Sequence, residues 1–172
     1  MDDPPSPRFL RLCHELACGN IRPIEDYLTS THKPFLVLDD IGRSLLFHAL
    51  LVPGPKGVTL AQAFIEHGAP AFGVYAAGAS IQQRLLCHPL SALASSAHSR
   101  DDKVTLAQSL LSRGALDDPK SPLARTEVLA HLRRYHPDFH ELLVTLDKVW
   151  SLRSRLLESA APGSAPSPRP AL

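Results

Sequence analysis

Nine histidines and three cysteines give this 172-residue chain its main scope for chemistry. The densest group is His136-Pro137-Asp138-Phe139-His140-Glu141. On an unbroken helix, two histidines four apart with carboxylates beside them would face one metal ion. Pro137 interrupts such a helix and pushes His136 toward extended backbone. The run is therefore expected to be a helix start, with Asp138 near the positive end of the dipole. A metal-binding or catalytic site at His136, His140 and Glu141 is the distant alternative. Cys13-His14 and Cys87-His88 are sequence neighbours whose side chains diverge, which suits neither a shared metal nor a thiolate with its base. The sequence holds no Cys-x-x-Cys pair, Gly-rich phosphate loop or Gly-x-Ser-x-Gly elbow. These residue patterns point to no enzyme, no cofactor and no metal.

Charge adds little pull toward particular partners. Eighteen basic and 17 acidic residues leave a formal net charge of +1, which argues against nucleic acid or an anionic membrane as the partner of the whole chain. Arg125, Arg133, Arg134, Lys148, Arg153 and Arg155 gather near the C-terminal end, but Glu127, Asp138, Glu141, Asp147 and Glu158 are interspersed, as on a solvated face. No apolar run reaches the roughly 20 residues of a spanning helix, and Met1-Asp2-Asp3-Pro4-Pro5 does not resemble a signal peptide. The expectation is a soluble cytoplasmic protein with reduced thiols.

The elements that must carry any site are helical. Phe9, Leu12, Cys13, Leu16 and Ala17 recur at helical spacing, Gly19-Asn20 breaks the run, and Ile21, Ile24, Tyr27 and Leu28 resume it. A second pair opens at Ser44, an expected N-cap, and a third at Pro89. Two segments nearly repeat: Val58-Thr59-Leu60-Ala61-Gln62-Ala63-Phe64-Ile65-Glu66-His67-Gly68-Ala69 and Val104-Thr105-Leu106-Ala107-Gln108-Ser109-Leu110-Leu111-Ser112-Arg113-Gly114-Ala115. A duplicated amphipathic helix closing on Gly-Ala marks a unit that must lean on a neighbour to bury its apolar face. The turns at 53–57 and 97–103 are expected to be long, as is the connection from Gly68 to Leu90. After Pro122, Val128, Leu129 and Leu132, then Phe139, Leu142, Leu143, Leu146, Val149, Trp150, Leu152 and Leu156, predict two helices split at Pro137, with Trp150 in their core. Residues 1–7 and the Pro/Ala/Ser-rich 159–172 are expected to be disordered.

Leu12 and His14 lie 34 residues before Leu46 and His48, near the ankyrin period of about 33. Asp39-Asp40-Ile41-Gly42-Arg43-Ser44-Leu45-Leu46-Phe47-His48-Ala49 resembles the ankyrin run in which Asp-x-x-Gly precedes Thr-Pro-Leu-His-x-Ala. His88-Pro89-Leu90 keeps the Pro-Leu, Ser121-Pro122-Leu123 resembles the start of a fourth, incomplete unit, and the Gly-Ala endings resemble the family's helix closure. The resemblance covers residues 8–125 and departs from the family in its long turns and in lacking any full Thr-Pro-Leu-His.

That resemblance implies an all-α, ankyrin-like stack of helix-turn-helix repeats over 8–125, with capping helices over 126–158. It implies a non-enzymatic interaction module, an adaptor or inhibitor, that binds another protein through its concave face and finger loops. The alternative is a bacterial effector or toxin-neutralising, immunity-type protein; a further one has the Phe139 to Leu157 stretch docking a partner helix instead of capping. The alignment places His14, Ala17 and Cys18, then His48, Leu51 and Val52, then Ala92, Ser95 and Ser96 at outward positions of the inner helices. Asp39, Asp40 and Arg43 fall at one finger tip. The 72–84 loop, with Phe72, Tyr75 and Arg84, forms another, its aromatic pair a candidate hot spot.

Overall fold

The computed structural model describes residues 7–30 and 34–160; the expected disorder of 1–6 and 161–172 lies outside them. The described residues are all-helical, with one isolated bridge between Leu38 and Ser44 and no strand. Helix α1 spans Pro7–Cys18, α2 Ile21–Ser30, α3 Leu45–Leu51, α4 Gly54–Glu66 and α5 Ile81–Leu86. Then come α6 at Pro89–Ser95, α7 at Arg100–Ser112, α8 at Arg125–Tyr135 and α9 at Pro137–Ala160. No described helix is long and apolar enough to cross a membrane.

Five helices pack on their successors: α1 on α2, α3 on α4, α5 on α6, α6 on α7 and α8 on α9. Across the pairs, α1 meets α3 and α3 meets α6, while α2 meets α4, α4 meets α7 and α7 meets α9. The result is two layers. Their shared core runs from Phe9 and Leu16 through Leu50, Phe64, Leu93 and Leu110 to Leu132 and Leu143, all buried.

The duplicated segments are α4 and α7, and equivalent residues do equivalent work. Leu60 and Ala61 are buried in one, Leu106 and Ala107 in the other. Both helices close the same way, through a glycine with positive φ: +85° at Gly68 and +81° at Gly114. Beyond each glycine an alanine N–H reaches back to the last turn, Ala69 to Phe64 O at 2.9 Å and Ala115 to Leu110 O at 3.1 Å.

Two expected long turns wind into helix instead. Residues 54–57 belong to α4, helped by Pro55 in its first turn. Residues 100–103 belong to α7, whose N-cap Ser99 accepts from the Asp102 N–H. The long connection after Gly68 holds α5, opened by a Ser80–Gln83 capping box that the apolar spacing did not signal. Ser44 caps α3 as expected, accepting from the Phe47 N–H at 3.2 Å. At the matching place on α6 stands His88, whose Nδ1 accepts from the Leu90 N–H at 3.1 Å. The imidazole thus performs the capping role of a serine hydroxyl.

His136 leaves helical geometry at φ −141° and ψ 62° before Pro137, as the sequence predicts. Helix α9 continues through Ala160, past the expected start of the tail at 159. Trp150, expected in the core, is 40% exposed. Val149, Leu152 and Leu157 are more exposed still, so the second half of α9 carries these apolar side chains at the surface.

Two outcomes follow. A Cβ on Gly57 would stand 1.7 Å from the Val52 carbonyl oxygen and 3.1 Å from His98 Cε1. The roughly 1 kcal/mol that alanine gains over glycine in a helix is outweighed by this clash with backbone. Gly57→Ala is expected to destabilise the fold by about 2 kcal/mol, measured by urea unfolding. His88 is fully buried, and burial pushes its pKa down to about 3, partly opposed by the Ala115 backbone and reinforced by His131. Between about pH 3 and 6.5 the unfolded chain takes up the proton first, so stability falls as pH falls. His88→Asn is expected to reduce that slope by ~1.4 kcal/mol per pH unit, read from unfolding curves between pH 7 and 4.5.

Candidate protein-binding surface

The turn from Asp39 to Arg43 is organised by one buried carboxylate. The Asp39 side chain is 4% exposed and accepts from the Ile41 N–H at 3.1 Å and the Arg43 N–H at 2.7 Å. Its other oxygen takes Arg43 Nε at 2.5 Å and lies 3.1 Å from His48 Nε2. Burial would raise the Asp39 pKa, but the hydrogen bonds from Arg43 and His48 win and hold it below the ordinary carboxylate value. Burial lowers the pKa of His48, the Asp39 hydrogen bond opposes this, and the Arg43 charge lowers it further. His48 is therefore neutral near pH 7 and donates Nε2–H to Asp39. Its ring also packs edge-on against Phe9 and Phe47, centroids 5.5 and 5.9 Å away.

So Asp39, Arg43 and His48, placed by sequence at a finger tip and in the groove, come together as one structural cluster. Asp39 is committed to holding the turn, while Asp40 is exposed beside it. Arg43 and His48 keep partial exposure, with the Arg43 guanidinium over the Phe47 ring.

The aromatic pair turns inward. Phe72 and Tyr75 are half-buried, and the Tyr75 hydroxyl donates to the Phe72 carbonyl. Burial raises the Tyr75 pKa markedly. The hydroxyl and ring also crowd Gly73, whose φ of +91° the loop requires. These residues cover their own loop rather than presenting a hot spot. What the tips expose is aliphatic: Ile41, Ile81 and Leu86 are each more than half exposed. The two loops touch, since Cys87 Sγ lies 3.6 Å from the Ile41 carbonyl oxygen and a Cβ on Gly42 would sit 3.6 Å from Ala76 Cβ. Arg84 is half-buried on α5. Sequence periodicity missed Ile41 and Ile81 because each stands alone among polar or small residues. Leu86 was masked by its neighbour Leu85.

On α1, His14 is exposed, and Cys18 Sγ lies 3.8 Å from its ring nitrogens. Their four-residue spacing was legible in the sequence, which drew attention instead to the adjacent Cys13-His14. Leu51 is half-buried at the end of α3. Ala92, expected to face outward, is 1% exposed. Ser96 is also buried, its hydroxyl returned to Leu93 O at 2.7 Å, whereas Ser95 is exposed.

A groove of about 890 Å³ opens between the α6–α7 turn and the start of α9. Arg100 and Lys103 of α7 line it together with Asp138, Glu141, Leu142 and Leu146 of α9. Lys103 Nζ donates to Ala94 O at 2.9 Å, and burial lowers its pKa. His136 lines this groove, its Nε2 3.3 Å from Ser95 Oγ. His140 lines a different hollow with Thr126, Leu129 and Arg133. His136 stands just ahead of α9 in non-helical geometry, its carbonyl accepting from the His140 N–H at 2.9 Å, and the two rings line different hollows. No group of three or more metal-ligating side chains forms among the described residues.

The cluster makes a sharp prediction. In Asp39→Asn, both influences that raise the His48 pKa disappear while burial and Arg43 remain. The His48 pKa, followed by NMR, should fall below its wild-type value, and stability should drop by about 1–3 kcal/mol as Arg43 and His48 lose a charged acceptor. A rise in the His48 pKa would contradict the assignment. Comparison with protein-family models, with curated proteins and with solved structures gives no match.

Proposed function

We propose that this chain is a degenerate ankyrin-like repeat module whose work is to bind another protein, inside the cell and without catalysis. One observation carries the proposal: the duplicated segments become α4 and α7, with the same residues buried, the same Gly-Ala closure, and direct contact between them. Units that cannot bury their own faces stack, and the stack leaves an extended surface suited to a macromolecular partner. Helix α9 joins the layer of α7 while α8 packs on α9 and α5, a placement that suits capping helices over the last repeat.

The tip surface supports a protein as partner. Ile41 on one connection, and Ile81 and Leu86 at the ends of α5 in the other, touching one, are exposed aliphatics, with Asp40, Arg43 and Arg84 on the same two segments. An apolar centre with a charged rim is the usual anatomy of a protein interface. The Asp39 cluster pre-forms this tip, so less ordering cost falls on association.

Capture from a lysate by the tagged chain, compared with an Ile41→Asp, Leu86→Asp variant, tests the site. Both positions are exposed, so the variant should keep its circular dichroism and melting temperature. The leading captured protein should be depleted at least ~10-fold, the scale expected when a central anchor of a hot spot is lost. Equal capture by the folded variant would remove the tips from the interface.

A further inference from the structure

Helix α9 has 24 residues and α8 only 11. Phe139 and Leu143 in the first half of α9 are buried in the core. Its apolar pattern does not stop where the core does. Val149 is 59% exposed, Trp150 40%, Leu152 59% and Leu157 64%. Over the same ten residues, 148–157, stand Lys148, Arg153 and Arg155, all exposed, and no carboxylate. The preceding acid, Asp147, is already engaged by Arg125.

At 100° per residue, Trp150, Arg153 and Leu157 share one face as i, i+3 and i+7, and Val149 and Leu152 extend it to one side. Lys148 and Arg155 lie just beyond Leu152 on that edge. The segment is a basic amphipathic helix already folded, held at its root by Phe139 and Leu143. Such a helix fits an apolar groove whose rim is acidic.

We propose that residues 148–157 are a docking helix that inserts into an acidic, apolar groove on a partner protein, with Trp150 and Leu157 as anchors and a carboxylate of the partner opposite Arg153. Other occupants fit less well. A lipid surface would place Arg153 at the centre of the buried face, where no fixed carboxylate meets it; a protein groove can supply one in bidentate geometry. A second copy brings three more cations and no acid over the same ten residues. Residues 161–172 of this chain contain no Asp or Glu to pair with Arg153. The proposal does not depend on the tip surface, and either can fail alone.

Trp150 is the chain's single tryptophan, so its fluorescence reports the segment directly. The probe is calcium-loaded calmodulin, a soluble protein with an apolar, Met-rich groove that takes basic amphipathic helices and closes without calcium. Titrated into the full-length chain, it should produce a saturable 1:1 blue shift of Trp150 emission that chelating the calcium abolishes. Arg153→Glu and, separately, Leu157→Asp should each weaken the affinity about 10-fold or more while leaving the melting temperature unchanged. No shift with calmodulin, or a shift that survives both substitutions within threefold, overturns the proposal. So does an equal or tighter response to phosphatidylserine/phosphatidylcholine vesicles, which assigns the helix to a lipid surface. A concentration-dependent shift with doubling of mass in the chain alone assigns it to self-association and also overturns the proposal.

Discussion

Everything in this fold depends on helix α3 being covered on three sides. It is seven residues long, too short to persist alone, and five of them, Leu45, Leu46, Phe47, Ala49 and Leu50, are buried. Its neighbours are α1, α4 and α6. Close approach is possible because small residues stand at the contacts: Ala49 and Ala61 are fully buried, as are Ala92 and Ala107 in the next pair to within 1%. Each of these hairpins packs its apolar face on the next, α1 and α3 on one side, α3 and α6 on the other. That constraint explains why the outer helices were free to stay nearly identical while the connections diverged.

The duplicated segments made the two-layer packing legible, because burial at a fixed register leaves a periodic trace. Boundaries were less so. Residues 54–57 and 100–103 read as loop from their Pro, Gly and charged residues, yet proline in the first turn and a serine N-cap are helix-starting signals, and these won over composition. The end of α9 was misjudged for a related reason. Trp150 and the leucines around it keep helical spacing whether or not a core lies beneath them, so periodicity predicted the helix correctly and its burial wrongly. Amphipathicity states that a face wants cover; only the tertiary structure states whether it has it.

The candidate site shows the same division. Asp39, Arg43 and His48 were chosen for their place in a repeat pattern and lie within one hydrogen-bonded cluster, yet that closeness arises from holding a turn. A carboxylate that accepts from two backbone N–H groups, a guanidinium and an imidazole is fully employed and has nothing left for a ligand. Tyr75 is similar: its hydroxyl is taken by the Phe72 carbonyl. Charged and aromatic residues attract attention in a sequence, but here Asp39, Arg43 and Tyr75 serve to fix the connections. The residues left exposed there are the inconspicuous aliphatics, Ile41, Ile81 and Leu86, whose exposure no local pattern encodes.

The last pair of helices brings both themes together. A terminal unit must cover the apolar end of the stack, and α9 does so with Phe139 and Leu143 while α8 contributes Val128 and Leu132. Leu142 and Leu146 pack beside them, so the covering part of α9 reaches its third turn. The helix continues well past that, and a stretch with three cations and no acid has no reason to be apolar on one face if its only duty is solvation. Exposed tryptophan and leucine at helical spacing would expose a large hydrophobic patch on a free monomer, a liability in solution unless something binds there. The first half of α9 therefore packs into the core, whereas its second half keeps the same helical apolar spacing with its side chains at the surface.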